Sequence, residues 1–448
     1  MRTTTFFAAA VGAAALVFVV ACLIGNDYLF FAGYTVVQFI VLAAAWNILG
    51  GYCGYVNFGT AGFFALGAYT AVFFHKTYPL PIPVLLVIAA GVSGLIGLGT
   101  GYLTLRLRGA FFSIATLALA VVLQTFVVNW DYVGGSRGAY VIRPDNIDVF
   151  GFQLDYIRYL CLIMLLLAAV AVAIARTIER SKLGYGFATI RDDELAAEAS
   201  GVPTLKLKLI ATTLSGALMG MAGAPFPYYI GYVEPASTFG LPYAVNSIAM
   251  PLIGGTTVWF GPLIGSILLG TLTQIATVTI SSAVNLLLVG LLLVGFVIVA
   301  PNGLVGLIRD FLRVAAPGRP DVRSIGLVAL ASFGFIAGVL EVVFGLAVVT
   351  APDPTGVALA SARLVLAALW LVSAYGLMTI QRWSPSTATL AFALSLPIAA
   401  TSIWLDRTPT NVALRAAIIA IAIVAIFFLQ RPDVRRLYQP RREQEAAA

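Results

Sequence analysis

An all-α polytopic membrane bundle is the fold class the sequence predicts, with about ten core spans and about four more toward the C-terminus. Three observations predict it. Of 448 residues, 60% are hydrophobic and only 10% are charged, too few charges to solvate a soluble surface of this size. Apolar runs of about 20 residues, the length that crosses a bilayer as a helix, recur from end to end. The loops between them alternate between acidic and basic, as loops on opposite faces of a membrane do. The net charge of +7 follows from basic cytoplasmic loops and implies no nucleic-acid partner.

The first run, 6–23, follows Arg2 and ends near Cys22; it is expected to remain as a span rather than to be removed as a leader. Further core runs lie at 29–49, 56–74, 83–105, 110–130, 157–175 and 207–230. The loop 131–156 carries Asp131, Asp145, Asp148 and Asp155 against Arg137 and Arg143, so it is expected outside. The loop 176–208 carries Arg176, Arg180, Lys182, Arg191, Lys206 and Lys208, and the turn before it carries Arg106 and Arg108; both are expected in the cytoplasm. The uncharged stretch 241–300 must begin outside, after Glu234, and end inside, before Arg309. Its length suits three short crossings, interrupted at Gly254-Gly255, Gly261-Pro262 and Ser281-Ser282. Such interruptions are tolerated at membrane depth where they are buried in protein or line a cavity.

Residues 1–308 therefore read as a transmembrane core with a cytoplasmic loop at 176–208, and 309–324 as a basic linker containing Pro317, Gly318 and Pro320. A further four-helix membrane module is expected at 325–430, with runs near 325–349, 357–380, 387–403 and 412–429, then a basic cytoplasmic tail at 431–448. Glu341 and Arg363 are the charges deepest in the module's apolar runs. An antiparallel hairpin brings them level, so they are expected to form an ion pair, the alternative being that each snorkels separately toward the headgroups.

Catalytic and metal chemistry find no foothold. Cys22, Cys53 and Cys161 lie in or beside apolar runs without metal-ligand spacing, and His75 is the single histidine. A phosphate-binding loop needs Gly-Lys followed by Ser or Thr, and none of the four lysines follows a glycine. The cytoplasmic stretch 192–199 reads as a short helix with an acidic first turn, stopped by Gly201 and Pro203. The residues alone leave open whether it docks a soluble partner or is a solvated loop helix.

The same stretch resembles the coupling loop of permeases in ATP-binding-cassette importers, most closely the branched-chain amino acid permeases, whose loop has the pattern Ser-x-x-Gly-x-x-x-x-Ala-Ile-Arg-x-x-Glu-x-Ala-Ala-x-x-x-Gly. Ser181, Gly184, Ile190, Arg191, Glu194, Ala196, Ala197 and Gly201 match it, and Thr189 stands where alanine is usual. Stretches 51–70, 106–120 and 253–265 resemble the same family, which covers roughly 51–306 and leaves 323–448 outside. The resemblance implies an inner-membrane permease subunit, not itself an enzyme and without cofactors, importing leucine, isoleucine, valine or related amino acids. Cytoplasmic ATPase subunits would use the ATP; a second homologous permease subunit and an extracytoplasmic solute-binding protein would complete the assembly. Arg191, Glu194, Ala196, Ala197, Glu198 and Gly201 would form the ATPase-coupling loop. Asn57, Thr60, Ser113, Thr116 and Gln124, neutral polar groups within spans, either pair helices or hydrogen-bond a zwitterion, and as a group they are the pathway candidates. Urea, short amides or a simple sugar are alternative cargoes. An ion-coupled secondary transporter is disfavoured because every Asp and Glu before Arg309 falls in a loop or at a span end. A membrane-embedded transferase would have only Asp192-Asp193 as a metal-holding acidic pair.

Overall fold

A computed structural model of the chain describes residues 3–149, 152–279, 303–306, 354–378, 381–405 and 422–431, with 290, 419 and scattered positions within 330–342. Helix α1 (Thr3–Ile24) turns directly into α2 (Asp27–Asn47), where the Asn26 side chain accepts a hydrogen bond from the Tyr28 N–H and caps the helix. Helices α3 (Thr60–Thr77), α4 (Ile82–Thr104), α5 (Ala110–Val128) and α6 (Tyr156–Glu179) follow. An elbow of two short helices, α7 (Lys182–Asp192) and α8 (Glu194–Ala199), leads into α9 (Thr204–Gly223). Short α10 (Phe226–Ile230) and α11 (Pro235–Thr238) precede α12 (Leu241–Gly254) and α13 (Gly261–Thr279). Seven helices among the described residues are long and apolar enough to cross a bilayer, so the polytopic helical bundle is as expected. Of the stretch 241–300, in which three short crossings are expected, the described residues form α12 and α13, and most of 280–300 lies outside the described residues.

The structure corrects the sequence reading in two places. The span expected at 56–74 starts only at Thr60, because the chain leaves α2 through a π-helical turn, Ile48–Tyr52, and runs without regular structure through 53–59. The helix expected at 192–199 starts at Glu194, since Asp192 ends α7 and Asp193 caps α8 by accepting from the Leu195 and Ala196 N–H groups. The loop 131–156 carries strands β1 (Ala139–Tyr140), β2 (Asn146–Val149) and β3 (Phe152–Asp155). Strand β2 pairs with β3 as a hairpin, and β1 pairs antiparallel with β4 (Tyr232–Val233), Ala139 opposite Val233.

The chain divides into two compact units, Met1–Gln274 with Ala300–Val305, and Ile275–Val299 with Gly306–Ala448. In the first, α9 lies between α3 and α4, and α2 lies against α6, α9 and α12. Tyr34, Trp46, Phe63 and Phe64 are fully buried there. The α3–α9 contact is as close as backbones allow: a Cβ at Gly67 would collide with the backbone of Gly220, the small-residue packing that membrane helices use. The β1–β4 pairing and the Arg143 hydrogen bonds to the Tyr228 and Tyr229 carbonyls (3.1 and 2.9 Å) bring the two expected outer loops together. Elsewhere Arg108 meets Glu194 at 3.5 Å, joining the two turns that are expected on one side of the membrane.

In the second unit are α14 (Pro354–Met378) and α15 (Ser384–Leu405), the latter preceded by a turn at 382–383, and 422–430 are helical. Trp370 meets Phe392 edge-to-face at 4.5 Å, in a core that includes Leu377, Ala391, Ala425 and Leu429. The expected pair is present: Arg363 Nη1 lies 4.0 Å from Glu341 Oε2, with side chains 7% and 14% exposed. The linker at 309–324 and the tail beyond Arg431 lie outside the described residues.

Candidate functional site

Two interruptions in the helical core define the site; the elbow touches the first, and Glu179 at the end of α6 touches both. The first is 48–59. Gly54 has φ +80, a left-handed conformation that a side chain would strain, and a Cβ there would also meet the Arg191 side chain at 2.9 Å. A non-helical backbone at membrane depth needs outside partners for its N–H and C=O groups. Here they come from two elements, α2 and α5. Trp46 Nε1 donates to the Asn57 carbonyl (2.8 Å), Ser113 Oγ to the Val56 carbonyl (2.9 Å), and the Phe58 N–H donates to Thr116 Oγ1 (3.1 Å). Asn57 completes the turn by accepting from the Gly59 N–H at 2.7 Å, after which α3 starts at Thr60.

Of the five pathway candidates the structure thus brings four together. Asn57, Thr60 and Thr116 are buried and Ser113 is half-buried. The hydroxyls of Ser113 and Thr116 are engaged in holding the interruption, and Gln124 lies two turns further along α5, half-buried.

The second interruption is 255–260, between α12 and α13. Gly255 has φ +120, and a Cβ at Gly254 or Gly261 would collide with the backbone across the turn. Its anchor is Glu179 at the C-terminal end of α6, whose Oε2 accepts from the Trp259 N–H (2.5 Å) and from the Tyr52 hydroxyl (3.5 Å). One carboxylate therefore ties both interruptions to the start of the elbow.

The elbow then folds back onto 48–59. Ser181 caps α7, accepting from the Leu183 and Gly184 N–H groups, which explains that serine in the motif. Arg191 Nη1 donates to the Gly51 carbonyl at 3.5 Å. Glu194 points inward: Oε1 accepts from Lys208 Nζ (2.6 Å) and Oε2 from the Tyr55 hydroxyl (2.5 Å), with Arg108 at 3.5 Å. Burial pushes the Glu194 carboxyl up, but the hydrogen bonds from Lys208 and Tyr55 and the charges of Lys208 and Arg108 outweigh it, so its pKa lies below the usual glutamate value. Glu198 accepts from Thr204 Oγ1 (2.7 Å) and lies 3.8 Å from Arg108. Ala197 is buried, and Gly201 takes φ +81 just after the helix, the left-handed position that follows a helix end. What remains on the outer face of α8 is Leu195, 63% exposed, beside Ala196 and Ala199.

Sequence reasoning missed Lys208, Tyr55 and Arg108 as partners of Glu194. Lys208 counts as a loop charge by its neighbours Arg191 and Lys206, yet it lies in the second turn of α9 and is 3% exposed. The available signal was its position inside the run that continues apolar to Gly223.

A family model described as the branched-chain amino acid transport system permease component matches residues 28–297. The high-affinity branched-chain amino acid transport system permease protein LivM of Salmonella typhimurium is 27% identical over 298 residues, covering 62% of this chain and 69% of that protein. Its Escherichia coli K12 counterpart is 28% identical over the same shares. The ribose import permease protein RbsC of Escherichia coli K12 is 28% identical over 193 residues, 42% of this chain and 58% of that protein. No solved structure matches the chain.

Proposed function

The chain belongs to the branched-chain amino acid transport permease family, and from that premise we propose that it is the inner-membrane permease subunit of an ATP-driven importer for leucine, isoleucine, valine or close relatives. The observation that carries the reading is the elbow α7–α8. Its outer face offers Leu195 and two alanines to a soluble partner, its inner face holds the first interruption through Arg191 and Glu194, and Glu179, at the end of α6 just before it, holds both interruptions. A cytoplasmic element with those two faces converts a push from an ATPase into movement of the irregular segments that membrane transporters place along their pathways.

In this reading Leu195, Ala196 and Ala199 meet the ATPase, while Arg191, Glu194, Ala197, Glu198 and Gly201 shape the elbow that presents them. Asn57 and Thr60 stand at the pathway, and Ser113 and Thr116 fix the backbone that carries them. Gln124 extends the polar line along α5. The neutral polar character of this group suits a zwitterion that carries its own compensating charges. A second permease subunit and an extracytoplasmic solute-binding protein complete the assembly, and ATP is consumed by the partner subunits.

The likeness to a ribose import permease supports a second cargo class, a simple sugar. Proteoliposomes holding the complete complex, loaded with ATP and given the cognate binding protein, separate the two. ATP-dependent uptake of leucine that excess ribose does not inhibit is the expected result. Uptake of ribose instead moves the chain to the sugar branch, and no ATP-dependent uptake of either refutes the reading.

A further inference from the structure

Helix α8 has six residues and buries Ala197. A helix this short is not stable by its own hydrogen bonds, so its position depends on what its side chains hold. Glu194 is the strongest of those holds, 12% exposed and bonded to a lysine ammonium that is itself 4% exposed. An ammonium has three donors, and the three acceptors of Lys208 Nζ come from three different elements. They are Glu194 Oε1 on α8 at 2.6 Å, the Leu105 carbonyl at the end of α4 at 3.1 Å, and the Tyr55 hydroxyl in the first interruption at 3.2 Å. The ammonium also sits 4.9 Å from the centre of the Tyr55 ring, and the Tyr55 hydroxyl returns to Glu194. Lys208, Glu194 and Tyr55 close a triangle that has one corner each on α9, α8 and the interruption.

A buried ion pair adds little stability over apolar packing of the same volume, so a triangle of this kind is a costly way merely to glue helices. Its geometry does something apolar packing does not. It is directional, and it ties the elbow's docking helix to a backbone segment free of helical hydrogen bonds.

We propose that Lys208 is a positioning residue of the transport cycle, the pivot that makes α8 and segment 53–59 move as one body. Displacement of α8 by a bound ATPase then reaches Tyr55, and through it Asn57 and Thr60, rather than being absorbed by the elbow. The proposal rests on the importer reading, and it assigns the role to a lysine that lies beyond the matched coupling motif.

The experiment uses the complete complex in proteoliposomes and measures leucine uptake and ATP hydrolysis in the same vesicles. Lys208→Met and Tyr55→Phe are compared with the wild type. A purely structural role lowers both rates in proportion, because fewer complexes are intact. The pivot role raises the ATP hydrolysed per leucine carried by roughly fivefold or more in Lys208→Met, the low end of ordinary coupling between sites. Tyr55→Phe keeps the ring against Phe112 and removes only the hydroxyl, so it is expected to fold and to shift the ratio in the same direction. It decides the matter even where Lys208→Met fails to assemble. Coupled uptake with a wild-type ratio in Tyr55→Phe, or in an assembled Lys208→Met, overturns the proposal alone. Absence of ATP-dependent uptake in the wild-type complex overturns the importer reading and the proposal with it.

Discussion

Truncating Leu195 to alanine tests the docking face directly. Leu195 is 63% exposed on α8, although it is large and apolar. Full burial of a leucine side chain is worth about 1.5–3 kcal/mol. With almost two thirds of it still in water, about 1–2 kcal/mol remains to be gained on docking. Leu195→Ala forgoes most of that, a loss of about 5- to 30-fold in affinity for the ATPase subunit. The assay is equilibrium binding of the purified ATPase to the permease in nanodiscs, without nucleotide. Thermal stability is followed in parallel, because Leu195 makes no bond in the Glu194–Lys208–Tyr55 triangle and its loss should leave the elbow folded. An affinity within about twofold of wild type, in a variant of unchanged stability, means that α8 does not carry the contact and that the outer face of the elbow has been misassigned.

Four further expectations follow from named contacts. Thr116→Val removes the acceptor of the Phe58 N–H inside the membrane and is expected to cost about 1–3 kcal/mol in denaturant unfolding in detergent, with Thr116→Ser close to wild type; an unchanged midpoint for valine shows that the interruption is held otherwise. The Glu194 carboxyl has a folded pKa below its ordinary 4.5, so its contribution is complete above pH 4.5 and is lost as pH falls through the depressed value. The stability gap between wild type and Glu194→Gln should therefore be constant from pH 7 to 5 and close below 4.5, and a gap that is flat through pH 3 contradicts the ion pair. Cysteines placed at Ser136 and Ser181 in a cysteine-free background should react with an impermeant reagent from opposite sides of the membrane, and same-side labelling inverts the topology. In the C-terminal unit, Glu341→Gln and Arg363→Gln should each lower stability by up to about 3 kcal/mol, and the double change should recover about 1–2 kcal/mol of the sum; strictly additive losses mean that the 4.0 Å approach carries no interaction.

What the sequence made legible depended on whether the cause was local. The apolar runs placed α4, α5 and α6 to within a few residues because a span's ends follow from its own composition and the charges beside it. The elbow's punctuation was equally local: Ser181 as the cap of α7 and Gly201 as the left-handed stop act on neighbours two or three residues away. Two adjacent aspartates hid the other boundary. Asp192 and Asp193 are interchangeable as caps by composition, and only the Asp193 N–H bonding back to the Thr189 carbonyl decides that α7 ends between them. Even the Glu341–Arg363 pair could be read, because depth along two antiparallel helices is arithmetic on residue numbers.

The interruption at 53–59 was not legible, and the reason is physical. Glycines at 51, 54 and 59 permit a break, but permission is not a cause, since TM helices tolerate glycine. The break persists because Ser113 and Thr116 of α5 bond the carbonyl of Val56 and the N–H of Phe58 across more than fifty residues of sequence. Hydropathy sums each window by itself and so carries a span straight through 56–59. The same blindness hid Lys208. Its charge reads as one more loop cation until folding lays α8 over the end of α4 and brings Glu194, Leu105 and Tyr55 to one ammonium. Both errors fall on the segments read here as moving during transport. A segment that moves must be held by contacts it can exchange, and such contacts are made with other elements rather than written into its own residues.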